Sequence, residues 1–178
     1  MTRIILASQS PRRRQLLGQI WPGPFTVLVP QADESYDPSL SPQEIVSAIC
    51  RKKADAAAAL AGDEDAVIIA ADTMVFLDDQ RLGKPLDEAD ALRMLTALQG
   101  RRHTVCTEAT GVVFRPAEES ELRAYIATGE PMDKAGSYGV QGKGALLVER
   151  LEGDFFNVMG LPVLRLSRML AQFGIKLL

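Results

Sequence analysis

Six consecutive apolar residues, Ala66-Val67-Ile68-Ile69-Ala70-Ala71, run without a polar interruption and stop at Asp72. A half-exposed strand alternates polar and apolar side chains. A run of strand length without alternation fits a sheet covered on both faces, as in parallel sheets flanked by helices. Ile4 to Ala7 is a shorter run of the same kind, and Ser10-Pro11 then supplies an N-cap and a first-turn proline for a helix carrying Leu16, Leu17 and Ile20. Strand followed by helix sets the class as α/β. With 178 residues, 47% apolar and 24% charged, the chain can bury one full core.

The remaining signals continue that order. Phe25 to Val29 reads as a strand. Ser41-Pro42-Gln43-Glu44 is a capping box opening a helix to about Leu60, with Ile45, Ile49, Ala56 and Leu60 inward and Gly62 at its end. Met74 to Leu77 is extended and turns at Asp78-Asp79 into Arg81-Leu82. Asp87 caps a helix bearing Ala91, Leu95 and Leu98, stopped by Gly100. Thr104 to Phe114 is one or two strands closed by Pro116, and Glu118 to Ala127 a helix. Lys134 to Gly144 is a glycine-rich loop and Ala145 to Arg150 a strand. Pro162 opens a last helix with Val163, Leu166, Leu170 and Phe173 on one face. Repeats and linkers are absent, so residues 1–178 read as one α/β unit.

Several classes are excluded. The net charge of −3 gives no global basic field to hold nucleic acid or an anionic membrane. No apolar stretch approaches a membrane span, and the N-terminal run is too short for a secretory signal. Cys50 and Cys106 are far apart, which excludes a disulfide framework and leaves two buried, reduced thiols in the cytoplasm. The single histidine, His103, comes without a Gly-x-Ser-x-Gly elbow, so it reads as a structural hydrogen-bonding residue and not as part of a hydrolase triad.

Chemistry concentrates in a few segments. Leu6-Ala7-Ser8-Gln9-Ser10-Pro11-Arg12-Arg13 puts two hydroxyls and two guanidiniums at a strand-to-helix junction, where free N–H groups favour an anion and Arg12 and Arg13 add bidentate donors for phosphate. The same segment also suits a capped surface helix with solvated arginines. Asp33-Glu34 and Asp72-Thr73 each follow a strand, where ligands gather in α/β sheets. Their carboxylates suit magnesium beside phosphates or a water to be deprotonated, although single acids there commonly form turns. Lys84, in Gly83-Lys84-Pro85, is a point charge for phosphate. Lys53 carries no signal of its own on a helix. Residues 133–142 hold several glycines, which allow close backbone approach to a ligand, and Gln141, whose amide both donates and accepts as base reading requires. The pattern is not a Walker loop.

Together Ser8-Gln9-Ser10-Pro11-Arg12-Arg13, Ala71-Asp72-Thr73, Gly83-Lys84-Pro85, residues 134–142 and Val158-Met159-Gly160-Leu161-Pro162 resemble, in order and spacing, the Maf family of septum-formation-inhibitor-like proteins along essentially the whole chain. The resemblance implies a Maf/ITPase-like fold: a single domain with a central mixed sheet flanked by helices, in two lobes around a nucleotide cleft. It implies a nucleoside triphosphate pyrophosphatase dependent on a divalent cation, Mg²⁺ or Mn²⁺. By position, Ser8, Arg12, Arg13, Lys53 and Lys84 would hold the triphosphate, while Glu34 and Asp72 would handle metal and water, with Asp72 as proton acceptor. Arg12, Thr73 and Gln141 match positions linked to base choice. Thr73 and the Arg12-Arg13 pair resemble the dTTP/UTP subgroup. The 7-methyl-GTP subgroup, with the same reaction on another base, and a non-catalytic nucleotide-binding regulator of division are the alternatives. Between Thr107 and Glu118 the chain is shorter than the family pattern by roughly a strand and its turn, which bears on the sheet edge and on any homodimer contact built there.

Overall fold

The computed structural model describes residues 2–62 and 65–178; Met1, Asp63 and Glu64 of the expected 1–178 unit lie outside them. Their contacts divide into two compact units, one formed by the stretch up to Asp72 with Gly160–Leu178, the other by Thr73–Met159.

In the first unit, β1 (Arg3–Ala7) is the middle strand of a parallel sheet, between β2 (Thr26–Leu28) and β3 (Ala66–Ala70). Ile4, Ile5, Leu6 and Ala7 are all buried, so the covering on both faces expected for the 66–71 run belongs to β1. Among the described residues β3 pairs on one side only, and just Ile69 of its residues is buried. An edge strand needs apolar side chains less continuously than the strand it flanks.

Helix α1 (Pro11–Ile20) starts as its sequence requires, with the Ser10 side chain accepting from the Arg13 N–H and Pro11 in the first turn. Leu16 and Leu17 are its buried residues. Helix α2 (Pro42–Ala61) carries both halves of the capping box, Ser41 N–H donating to Glu44 Oε2 at 2.9 Å and Glu44 N–H to Ser41 Oγ at 3.4 Å. Its buried side is Ile45, Val46, Ile49 and Ala57; Leu60, expected inward, is exposed and Ala56 half-buried. Steps of four residues connect Ile45, Ile49, Lys53 and Ala57, and that stripe turns inward. Helix α6 (Val163–Gln172) buries Leu166 and Leu170. Phe173, expected on the same face, is exposed because the helix ends at Gln172 and Gly174 turns left-handed with φ 74°.

The second unit is an antiparallel sheet in the order β5-β4-β6-β7-β8, made from β4 (Met74–Leu77), β5 (Gln80–Leu82), β6 (Arg102–Cys106), β7 (Thr110–Phe114) and β8 (Val148–Glu152). The α/β class holds, and the two strand orientations of the expected mixed sheet are segregated, parallel pairs in one unit and antiparallel pairs in the other. Helices α3 (Glu88–Leu98) and α4 (Glu119–Ile126) supply Leu95, Leu98 and Leu122 to a core with Val112 and Phe114. The strand expected over 145–150 starts three residues later. Lys143–Leu147 is a 3-10 helix, tied by Arg115 N–H to Leu147 O at 3.0 Å and Arg115 Nε to Leu146 O at 2.8 Å. A short helix, α5 (Phe155–Met159), completes the unit. Among the described residues no helix is long and apolar enough to cross a membrane.

Candidate active site

The first unit gathers charge where β1 and β3 end. After Ala7 the chain turns back on itself, Ser8 N–H donating to Leu6 O at 3.0 Å. The buried Ser8 then directs its Oγ at α1, accepting from Ser10 N–H at 3.1 Å and from Arg13 Nη1 at 3.3 Å. Arg13 is held from a second side, its Nε donating to Gly160 O at 2.7 Å. Gly160 has φ 110°, a conformation that favours glycine. Burial pulls the Arg13 guanidinium below its usual value, with nearby Asp72 the largest opposing influence; a guanidinium starts so high that it remains a cation. Arg12 precedes it on α1, half-buried.

Lys53 is the centre of the cluster. Its Nζ lies 2.6 Å from Asp72 Oδ1 and 2.8 Å from Glu34 Oε1. Burial alone would lower this ammonium, but the hydrogen bonds to Asp72 and Glu34 outweigh it and hold the group above its ordinary value. Lys53 is therefore a fixed cation that orients two carboxylates from separate segments. Asp33, next to Glu34, does a different job. It accepts from Ser35 N–H at 2.9 Å, from Ser35 Oγ and from Lys52 Nζ at 3.1 Å, and the Ser35 bonds with that of Lys52 bring it down to about 2. It shapes the turn. Cys50, one turn before Lys53 and half-buried, has its thiol pushed up by burial and then by Asp72, so it is no thiolate nucleophile at neutral pH.

Of the residues expected from the sequence, the structure thus assembles Ser8, Arg13, Glu34, Lys53 and Asp72 into one cluster, with Arg12 beside it. Thr73, Lys84 and Gln141 belong to the second unit. Thr73 Oγ1 is 2.7 Å from Thr107 Oγ1, which also donates to Asn157 O at 3.0 Å. Asn157 is fully buried. Its amide accepts from the N–H groups of Thr107, at 3.2 Å, and Glu108, and donates to Val105 O at 3.0 Å and Thr110 Oγ1 at 2.9 Å. Lys84 is exposed, and its loop is joined to the glycine-rich segment by Gly136 N–H donating to Gly83 O at 3.0 Å. Gln141 is exposed on a turn closed by Gly142 N–H to Gly139 O at 3.4 Å.

The glycines of that segment correct one expectation. A Cβ on Gly139 would meet Lys134 Cε at 2.8 Å, on Gly144 Tyr125 Oη at 2.6 Å, and on Gly142 the Glu130 carboxylate. What approaches the backbone closely is the protein's own side chains. His103 is the buried structural residue expected, its Nε2 2.8 Å from Tyr138 Oη, and burial holds its pKa at about 4.

Sequence reading gave no role to Gly160, Asn157 or Glu130. Lys53 had no signal of its own and entered only through the family resemblance, although its four-residue spacing from Ile49 and Ala57 on a capped helix was available. Asn157 lies between aromatic and apolar neighbours in Phe155-Phe156-Asn157-Val158-Met159, and a polar residue inside an apolar run is a cue for a buried bonding role.

Fixed cations with paired carboxylates at the strand ends of a small α/β unit are the equipment of a protein that handles phosphate groups and activates water. The chain belongs to the Maf-like protein family, whose sequence profile matches residues 3–173. The dTTP/UTP pyrophosphatase of Bacillus velezensis is 46% identical to it over 98% of each chain. That of Moorella thermoacetica is 45% identical over 98% of this chain and 97% of its own, and that of Pelotomaculum thermopropionicum 44% identical over the full length of both. The Bacillus velezensis match extends over 188 aligned positions against 178 residues here, so at least ten have no counterpart in this chain. In the structure β6 and β7 are joined directly by residues 107–109.

Proposed function

We propose that this chain is a nucleoside triphosphate pyrophosphatase acting on dTTP and UTP, cleaving between the α- and β-phosphates to release the monophosphate and pyrophosphate. The observation that carries the reading is the clamp of Lys53 between Asp72 and Glu34, which fixes a general base beside a permanent cation. Asp72 orients a water toward the α-phosphorus and takes its proton. Lys53 and Arg13 compensate the charge that builds on the phosphate oxygens, and Arg12, Ser8 and Lys84 hold the triphosphate. No covalent nucleophile is needed, in keeping with a neutral His103 and a protonated Cys50.

Among the described residues no group of three or more His, Cys, Asp and Glu forms a metal cage. Two carboxylates do suit Mg²⁺ or Mn²⁺ arriving with the triphosphate, since such ions are commonly held by one or two carboxylates and the substrate's own phosphates. Glu34 and Asp72 would hold the cation, which supplies charge neutralisation on the phosphates. Thr73 and Gln141 select the base. We place the protein in the cytoplasm, where triphosphates are made and its cysteines, Cys50 and Cys106, stay reduced.

The test is turnover with Mg²⁺ or Mn²⁺ on separate dTTP, UTP, CTP, GTP and 7-methyl-GTP, scoring pyrophosphate against orthophosphate. Pyrophosphate chiefly from dTTP and UTP is expected. Pyrophosphate chiefly from 7-methyl-GTP would overturn the assignment of the base, and no turnover by folded, metal-supplied protein would leave a nucleotide-binding regulator.

A further inference from the structure

A glycine-rich stretch rich in outward N–H groups is ordinarily a place for a phosphate. Here the N–H groups of residues 139 and 142–145 are already taken. Glu130, in the 3-10 helix Glu130–Asp133, sends its carboxylate into the stretch. Its Oε2 accepts from Lys143 N–H at 2.8 Å, and its Oε1 from Gly144 N–H at 3.1 Å and from Tyr125 Oη at 2.9 Å. The Tyr125 hydroxyl oxygen accepts in turn from Gly139 N–H at 3.1 Å. Lys134 Nζ closes the far side on Glu130 O at 2.5 Å. Both ends of the turn over residues 139–142 are therefore tied to one carboxylate, directly at 143 and 144 and through Tyr125 at 139. Val140 is buried, and Gln141 alone of the two central residues is exposed.

We propose that Glu130 is a positioning residue for base selection: it fills the backbone cradle of residues 139–144 with its own carboxylate and so fixes the turn that presents Gln141 to the nucleotide base. The inference rests on the pyrophosphatase reading and deepens it. Gly139, Gly142 and Gly144 keep their lack of a side chain to let Glu130, Tyr125 and Lys134 in. The stretch then carries no phosphate, and its contribution lies in holding one amide still. A uracil or thymine edge offers an N–H donor between two carbonyl acceptors, which one amide matches with an acceptor and a donor. Holding that amide on a rigid turn spares the ordering cost at binding.

Glu130→Gln tests it. The amide nitrogen of glutamine meets a donor at whichever carboxylate oxygen it replaces, so at least one bond is lost while size is kept. On the full chain, kcat and KM for dTTP, UTP and CTP are measured for the wild type, Glu130→Gln, Gln141→Ala and the double variant. KM for dTTP and UTP should rise about ten-fold in Glu130→Gln, with kcat within about three-fold. The preference over CTP should fall toward that of Gln141→Ala, and Glu130→Gln should add nothing to selectivity in the Gln141→Ala background. Tyr125→Phe, which removes only the hydroxyl, should shift selectivity the same way by less, and it serves if Glu130→Gln does not fold. Unchanged selectivity beside a lowered melting temperature would overturn the inference and leave Glu130 a structural residue, as would losses that add independently to those of Gln141→Ala. A wild type releasing no pyrophosphate from any triphosphate would remove both this inference and the reading beneath it. An active wild type with unaltered selectivity in the variants overturns this inference alone.

Discussion

The two units manage polarity in opposite ways. In the first, charge is drawn in beside the parallel sheet: Lys53 lies between the Asp72 and Glu34 carboxylates, and Arg13 is held by the neutral Ser8 hydroxyl and Gly160 carbonyl. In the second, the fully buried polar groups are neutral. His103 meets Tyr138, Asn157 meets Thr110 and three backbone groups, and Ser137 meets the Met94 sulfur. Charges in a low-dielectric setting are costly to bury and effective at a reacting phosphate. Neutral networks fix shape without a field. On the proposed function, chemistry falls to the first unit, and form and recognition to the second.

The comparison breaks first at Asp72. Asp72→Asn should lower turnover by about 10²- to 10⁴-fold while the protein stays folded, because Lys53 keeps Glu34. Steady-state rates and circular dichroism decide it, and near-normal turnover in a folded variant would take the base out of the first unit. Asn157→Ala should do the reverse. It leaves buried donors and acceptors unsatisfied, for a loss of about 3 kcal/mol and a drop in Tm of roughly 10 °C, with kcat below the melting range changed only a few-fold. A loss of activity as large as that of Asp72→Asn without loss of stability would show that the neutral network is itself chemical.

A third test uses pH. Above pH 6.5 His103 is neutral folded and unfolded. Between 6.5 and about 4 the unfolded chain binds a proton that the folded one refuses, so stability falls with falling pH across that window and the loss levels off below it. The effect amounts to about 3 kcal/mol at most. Urea unfolding at pH 7, 5.5 and 4 should show the wild type losing more than His103→Gln; parallel losses would mean that His103 is not held neutral. The smallest effect belongs to exposed pairs. Arg101→Ala, which opens the surface bridge to Asp78, should change unfolding free energy by no more than about 0.5 kcal/mol in the same experiment.

Much of the first unit was legible because its signals are local. Ser10-Pro11 and the Ser41 to Glu44 box cap the helices as their sequences require. Strand membership was legible too, but the place of each strand in the sheet was not: β1 and β3 are both apolar, and only pairing decides which is central. Lys53 shows the same limit. A lysine on a helix is ordinarily solvated, and its burial depends on which stripe of α2 turns inward, with Ala57 and not Leu60 continuing it. In the second unit Thr73 and Gln141, the proposed base-selecting residues, could be picked out, but what holds them could not. Asn157 reaches Thr107 across 50 residues of chain and Glu130 reaches Gly144 across 14, and neither contact has a local pattern. The glycines of residues 139–144 announced a close approach without saying what approaches.

The central claim, that water guided by Asp72 attacks the α-phosphorus, is tested most directly by hydrolysing dTTP in water enriched in oxygen-18 and finding the label by mass spectrometry. The expected result is one labelled oxygen in the monophosphate, none in pyrophosphate, and a rate of labelling that collapses in Asp72→Asn. Label in pyrophosphate, or labelled orthophosphate with a nucleoside diphosphate, would place the attack on another phosphorus and contradict the account.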